Sequence, residues 1–141
     1  SKVVPWQAER SISKWDGKEQ KNRERWQQIV DEAAKQALRA WFPEVLPVHT
    51  SKTLAKQISE SAGTFLVLDP TSPLSLNQAE LSTSGEVALI VGPEGGISEA
   101  ELALFETAGA KRVHLGTGIL RTSTAGMAAI SVLAAKSGYW D

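Results

Sequence analysis

The stretch that decides the fold is residues 87–101, which read VALIVGPEGGISEAE. Residues 87–91 form a continuous apolar run, which is typical of a strand buried on both faces of a parallel sheet. Ser98 followed by Glu101 has the spacing of a capping box, so a helix is predicted to begin there and to stop at Gly109. The stretch therefore predicts a buried strand, a glycine-rich turn and a helix in direct succession.

The flanking sequence continues this alternation of strands and helices. Strands are predicted at residues 3–4, 11–15, 44–49, 64–69 and 112–115, and helices at residues 21–41, 51–61 (from a serine cap) and 122–137. Pro43 should close the first helix, and residues 70–85 should form a surface loop with a turn of helix near Gln78. Strands that alternate with helices predict an α/β fold with a mostly parallel sheet.

Two glycine-containing segments each follow a predicted strand, residues 92–96 (GPEGG) and residues 115–125 (LGTGILRTSTA). Ligands of open α/β sheets bind beyond the carboxyl ends of the strands, so these segments would face one pocket. Ordinary strand-to-helix turns need the same glycines, and that alternative stays open. A dinucleotide fingerprint fails because Arg121 occupies the third glycine position, and neither segment continues as a Walker phosphate loop.

Arginines and tryptophans are the other candidate functional side chains. At the mouth of the predicted pocket, Arg121 could stabilise a developing negative charge or simply point into solvent. In the helix of residues 21–41, the i, i+4, i+7 spacing places Glu32, Gln36 and Arg39 on one stripe, which surface charge explains equally well. Trp26 and Trp41 fall on the apolar face of that helix and are expected in the core. Trp6, Trp15 and Trp140 stay undecided between packing and base stacking.

Composition limits the class of protein. The chain has 141 residues, a net charge of −1 and no cysteine, which suits one domain in a reducing compartment. No apolar run has the length of a membrane span and no signal-peptide pattern opens the sequence, so a soluble, cytoplasmic protein is expected. His49 and His114 stand apart from any ligand cluster, so no metal is expected. Basic residues outnumber acidic ones only near the two ends, which could form a phosphate-binding patch or a solvated face.

Taken together, the motifs resemble the RsmE family of ribosomal RNA methyltransferases. The resemblance rests on LIVGPEGGIS at residues 89–98 with Glu101, on LG at residues 115–116, and on ILRT at residues 119–122 with Thr124 and Ala125. Further support comes from VP at residues 4–5, ERS at 9–11, Trp26, EAAKQ at 32–36, Arg39 and PEV at 43–45. The likeness runs nearly from end to end.

The resemblance implies a SPOUT fold, in which helices cover both faces of a mostly parallel sheet and the C-terminal segment forms a trefoil knot. It further implies a homodimer that uses S-adenosyl-L-methionine to methylate N3 of a uridine in 16S rRNA of the small ribosomal subunit. The residues that would hold the cofactor are Leu68, Gly92, Glu94, Gly95, Leu115, Gly116, Ile119, Leu120, Thr122 and Ala125. Arg121 and Arg39 would be catalytic, and Arg10, Glu32, Gln36 and Arg39 would contact or position the RNA.

Two departures from the family pattern accompany the resemblance. Family members usually begin with a PUA-like β-barrel that helps to grip RNA, and the likeness starts where that barrel would end. Residues 1–141 are therefore expected to form the SPOUT domain alone. Thr117 and Gly118 depart from the residue and proline expected before Ile119. The alternatives are another SPOUT enzyme that acts on a ribose 2′-hydroxyl or on tRNA, and a non-catalytic RNA-binding or dimerisation module.

Overall fold

Short parallel strands and four α-helices build the molecule, and the computed structural model describes residues 1–83 and 85–140. The strands are β1 (Lys2–Val3), β2 (Trp6–Gln7), β3 (Glu44–Val45), β4 (His49–Thr50), β5 (Thr64–Leu68), β6 (Val87–Ile90) and β7 (Lys111–Val113). The helices are α1 (Glu19–Gln36), α2 (Ser51–Glu60), α3 (Glu99–Ala108) and α4 (Thr122–Lys136), with one 3-10 turn at Leu76–Gln78. Within residues 1–83 and 85–140, no helix is both long and apolar enough to cross a membrane.

The central sheet has the strand order β6-β5-β7, and both of its strand pairs are parallel. Leu66 in the middle of β5 pairs with Leu89 on one side and with Lys111 on the other. Two smaller parallel pairs join β1 to β3 and β2 to β4. Because β5, β6 and β7 run in the same direction, their carboxyl ends meet at one edge of the sheet. The loops that follow β6 and β7 therefore start at this edge, on either side of the end of β5.

Side chains of β5 alternate between two apolar cores, as expected for a strand covered on both faces. Phe65 and Val67 pack with buried residues of α2 and α3, among them Phe105. On the other face, Leu66 packs with Leu76 of the 3-10 turn and with residues of α4. The predicted α/β fold with mostly parallel strands is confirmed, and helices lie on both faces of the sheet.

Hydrogen-bonded caps define the helix ends next to the sheet. At the start of α3, the backbone N–H of Glu101 donates to the Ser98 hydroxyl, and the Ser98 N–H donates back to the Glu101 carboxylate, each at 3.2 Å. Gly109 ends the helix with a φ of 114°, a conformation that favours glycine. The predicted capping box and stop are confirmed. The serine cap predicted for α2 is wrong by one residue, because Thr50 caps that helix.

The first helix is shorter than its apolar periodicity predicted. It ends at Gln36, and Leu38 turns the chain away with a positive φ of 50°. The prediction that the helix reaches residue 41 is therefore wrong, and Pro43 is not what ends it. Trp41 is 86% exposed, so its predicted place in the core is also wrong. Trp26 is 40% exposed, so its predicted place in the core is wrong as well, and it packs edge-on against Trp15 with the ring centroids 5.1 Å apart.

Two predicted strands near the N-terminus differ in the structure. The predicted strand at residues 44–49 is divided into β3 and β4, with Pro47 between them, a residue that has no N–H to donate to a ladder. Residues 11–15 form no strand. Instead, the Gln7 side chain accepts a hydrogen bond from the Trp15 N–H at 2.9 Å, which takes up the donor that a partner strand would use.

Candidate active site

The first glycine loop connects β6 to α3 and is held in a tight turn. The Gly96 N–H donates to the Pro93 carbonyl at 2.9 Å, and Gly96 has a φ of 76°. Position 92 requires glycine for a different reason, because a Cβ there would lie 2.5 Å from Cγ1 of Ile97. The loop therefore folds back on Ile97, which packs against the buried core. The sequence GPEGGI is what allows this close return.

The second glycine loop connects β7 to α4. Gly116 has a φ of 137°, and its N–H donates to Nδ1 of His114 at 3.0 Å. The remaining proton of a neutral His114 ring is then on Nε2. In the described part of the chain, no atom lies within 4 Å of a Cβ built on Gly116 or on Gly118. This loop is therefore open where the first one is tightly packed.

A cavity of about 180 Å³ lies between the two loops, at the carboxyl edge of the sheet. Most of the predicted cofactor residues line it, and these are Leu68, Gly92, Glu94, Leu115, Gly116, Ile119, Leu120, Thr122 and Ala125. Gly95 is placed elsewhere, since its carbonyl accepts a hydrogen bond from Nη1 of Arg10 at 3.2 Å. The two loops thus form one pocket, as the sequence predicted.

An ion pair beside the cavity was missed by the sequence reasoning. Asp69 lines the cavity and is buried, and its Oδ2 lies 2.6 Å from Nη2 and 2.7 Å from Nε of Arg112. Burial alone would raise the pKa of Asp69, but hydrogen bonds from Thr71 and Arg112 hold that pKa below its ordinary value. The hydrogen bond to Asp69 raises the pKa of Arg112. In the sequence, the only sign of this ion pair was an aspartate directly after an apolar strand.

Glu101 is a second buried carboxylate that the sequence identified only as a helix cap. Its Oε1 accepts hydrogen bonds from the Glu9 N–H and from the Ser51 hydroxyl, each at 2.7 Å, and its Oε2 accepts from Ser98. Burial would raise the pKa of Glu101, but these hydrogen bonds hold it below its ordinary value. One side chain thus joins the N-terminal segment, the start of α2 and the start of α3.

The predicted catalytic and RNA-contacting residues are only partly brought together. Arg121 is exposed at the start of α4, between two residues that line the cavity. Arg10 reaches the first glycine loop through its hydrogen bond to Gly95. Glu32 and Gln36 are exposed on α1. Arg121, Glu32 and Gln36 are thus all solvent-exposed, which was one of the alternatives that the sequence left open for each of them.

Arg39 is placed differently from its prediction. It lies beyond the end of α1, so the predicted i, i+7 stripe with Glu32 is wrong, because the chain leaves the helix at Leu38. Its Nη1 donates to the Tyr139 hydroxyl at 2.6 Å, and its Cζ lies 5.6 Å from the centroid of that ring. Arg39 is therefore held against the C-terminal end of the chain.

The pocket lining has a composition that restricts its ligands. Lysine and arginine are missing from the described residues that line it, whereas Asp69 and Glu94 contribute carboxylates. His114 and Thr122 add an imidazole and a hydroxyl, and the rest is apolar side chain and glycine backbone. Elsewhere in residues 1–83 and 85–140, no group of three or more histidine, aspartate or glutamate side chains could hold a metal ion. The pocket suits a ligand with an apolar ring, hydroxyl groups and positive charge.

Comparison with known proteins agrees with the fold. Residues 1–134 match the model of a family described as RNA methyltransferase domain. The ribosomal RNA small subunit methyltransferase E of Mycobacterium bovis is 36% identical over 98% of this chain and 54% of its own length. The protein of the same name from Bacillus subtilis is 33% identical, over 92% of this chain and 54% of its own length.

A solved structure shares the architecture. The crystal structure of ribosomal RNA small subunit methyltransferase E from Neisseria gonorrhoeae, bound to S-adenosyl methionine, matches with a TM-score of 0.85 and 32% identity. The match covers 96% of this chain and 55% of that one. The chain spans about half the length of the curated relatives it matches. By family model, sequence motifs and fold, it belongs to the RNA methyltransferase domain family, with the RsmE-type ribosomal RNA methyltransferases.

Proposed function

We propose that this chain is the cofactor-binding and catalytic domain of an enzyme that methylates N3 of a uridine in 16S rRNA of the small ribosomal subunit, using S-adenosyl-L-methionine. The cavity between the two glycine loops carries the proposal, because the residues expected to hold the cofactor line it. The Neisseria gonorrhoeae relative with the same fold was crystallised with S-adenosyl methionine. The one-domain assignment of residues 1–141 is part of the proposal.

The cavity suits S-adenosylmethionine better than a nucleoside triphosphate. Leu68, Val91 and Leu115 offer apolar walls for an adenine ring, and the open backbone at Gly116 offers a carbonyl nearby, since its N–H is already bonded to His114. A triphosphate would need cations, which the described lining lacks. S-adenosylmethionine carries a sulfonium and an ammonium group, and the carboxylate of Glu94 complements this charge, whereas Asp69 is already paired with Arg112.

Methyl transfer to uracil N3 requires stabilisation of negative charge on the base. The bound cofactor supplies an electrophilic methyl group. Uracil N3 loses its proton to solvent and bonds to the methyl carbon as the sulfur–carbon bond breaks, which leaves S-adenosylhomocysteine. We assign Arg121 to stabilise the uracil anion, since it is exposed between Leu120 and Thr122, which line the cavity. Arg39 is the second catalytic candidate; Arg10 would contact the RNA, with Glu32 and Gln36 as positioning residues.

The proposed homodimer is supported by the last helix. The sequence of α4 is apolar or small around most of its circumference, yet Ala129 is its one fully buried residue within the described chain. Met127 and Ile130 are 66% and 60% exposed. An all-round apolar helix is normally buried, so a second copy of the chain is the expected cover. The cytoplasmic location is proposed on the basis of the ribosomal substrate.

The proposed trefoil knot is supported by the path of residues 69–76. This segment follows β5 and then runs along the free edge of β7, where the Leu76 N–H donates to the His114 carbonyl and the His114 N–H donates to Leu74. β7 therefore lies between β5 and this segment. An experimental structure traced through residues 69–137 would test the threading.

The first test of the function is isothermal titration of S-adenosylmethionine into the purified chain, with S-adenosylhomocysteine and ATP as comparisons. We expect saturable binding of the first two ligands and none of ATP. Binding of ATP alone would contradict the proposal. Nucleoside analysis of 16S rRNA after incubation with the enzyme should show 3-methyluridine, whereas a ribose 2′-O-methyl product would assign the chain to another SPOUT reaction.

A further inference from the structure

A second cavity, of about 280 Å³, lies directly beside the cofactor cavity. The two cavities share Val91, Gly92, Pro93, Glu94 and Thr122 in their linings. Ligands in the two cavities would thus be separated only by the first glycine loop and the start of α4. We call the second cavity the aromatic cleft, because Trp6, Trp15 and Trp26 line it.

The indole rings of the aromatic cleft are fixed from behind. The Trp6 Nε1–H donates to the Ser51 hydroxyl at 3.0 Å, and that hydroxyl in turn donates to Glu101. The Trp15 backbone N–H donates to the Gln7 side chain, and the buried Trp15 ring packs edge to face with Trp26, at an interplanar angle of 87°. Trp26 remains 40% exposed. The cleft therefore offers rigid aromatic surface that the fold leaves open.

Polar groups at the aromatic cleft match the edge of a pyrimidine. Ser11 and Ser13 line it and carry hydroxyls that can donate to carbonyl oxygens, and Glu94 lies in the shared wall. Arg10 is hydrogen-bonded to the adjacent Gly95, so a cation lies near this wall, where it could contact a phosphate of the RNA.

We propose that the aromatic cleft binds the accepting uracil, turned out of the RNA and stacked on an indole ring. Enzymes that modify a base bring it out of the helix into a pocket, where aromatic side chains stack against it. The shared wall would then set the base beside the methyl donor. This inference rests on the proposed function, since it names the site of the second substrate.

The test is NMR of the indole N–H signals of the full chain, saturated with S-adenosylhomocysteine and titrated with uridine 5′-monophosphate. We expect the signals of Trp15 and Trp26 to shift saturably and that of Trp41, outside the cleft, to stay unchanged. Trp26→Ala should weaken uridine monophosphate binding by about tenfold, the usual loss when one stacking partner is removed. Trp41→Ala is the matched control and should bind as the parent chain does.

The outcomes separate this inference from the proposed function. If S-adenosylhomocysteine binds but uridine monophosphate leaves the Trp15 and Trp26 signals unchanged, the inference is wrong and the cofactor assignment stands. If neither ligand binds, the proposed function fails. If these signals respond to dilution of the protein and not to the nucleotide, a second copy of the chain covers the cleft, which also overturns the inference. Equal shifts with adenosine monophosphate would refute uracil as the preferred ligand.

Discussion

Replacement of Gly92 by alanine should damage both the fold and the cofactor cavity. The new Cβ would lie 2.5 Å from Cγ1 and 3.2 Å from Cδ1 of Ile97, closer than carbon atoms approach. Ile97 has to move, although it packs against the buried core and lines the cavity. Overpacking of this kind costs about 1–3 kcal/mol of unfolding free energy. A tenfold weaker binding of S-adenosylmethionine, roughly 1.4 kcal/mol, is expected from the displaced Ile97.

Urea unfolding of Gly92→Ala beside Gly118→Ala provides the assay, with titration calorimetry for the cofactor. Gly118 lies in the other loop, and no atom of the described chain is within 4 Å of its would-be Cβ. Its substitution should therefore change stability by less than about 0.5 kcal/mol. If Gly92→Ala unfolds at the same urea concentration as Gly118→Ala, the close approach to Ile97 does not constrain the loop and the reasoning fails.

Three further predictions address charge, catalysis and assembly. Glu101→Gln should lower the unfolding free energy at pH 7 by about 1–3 kcal/mol, because an amide N–H would face donors that the carboxylate now accepts from. The folded pKa of Glu101 is lowered, so its stabilisation is present above the ordinary pKa near 4.5 and is lost as pH falls through the folded value. The urea midpoints of variant and parent should therefore converge as the pH is lowered below that ordinary value. Arg121→Ala should keep S-adenosylmethionine binding in calorimetry and reduce the methylation rate by about 10²–10³-fold; an unchanged rate would remove Arg121 from catalysis. Ile130→Glu on α4 should convert the dimer to a monomer in light scattering, whereas Leu104→Glu on α3 should not, and a dimer that survives the first change would exclude α4 from the interface.

The sheet and its pocket could be predicted because local and global signals agree there. Residues 87–91 are apolar without interruption, and the sequence that follows contains its own cap at Ser98 and its own stop at Gly109. The strand is present, but the prediction that it is buried on both faces is wrong, because β6 lies at the sheet edge and Val87 is exposed. Glycine loops after parallel strands of one sheet lie at the same edge, so a shared pocket could be expected from the order of elements. The sequence did not show that β5 lies between the two strands that precede these loops.

Contacts between residues that are distant in the sequence could not be predicted from the sequence patterns. The apolar periodicity of the first helix continues in the sequence beyond the residue at which the helix ends. Leu38 adopts a positive φ there, which the spacing of apolar residues cannot predict. The carboxylate of Glu101 fits a capping box, but its bonds to Glu9 and Ser51 depend on how distant segments are brought together. Arg112 gave no signal at all, since its partner Asp69 is 43 residues away in the chain.

The position of β7 has a consequence for how the chain folds. This strand lies in a slot between β5 and residues 74–76, both of which come before it in the sequence. The slot must therefore stay open, with its backbone donors and acceptors solvated, until residues 111–114 enter it. Such non-local pairing slows folding. The refolding rate should be limited by entry of this one short strand, and a ligand that bridges the two glycine loops can bind only after that step.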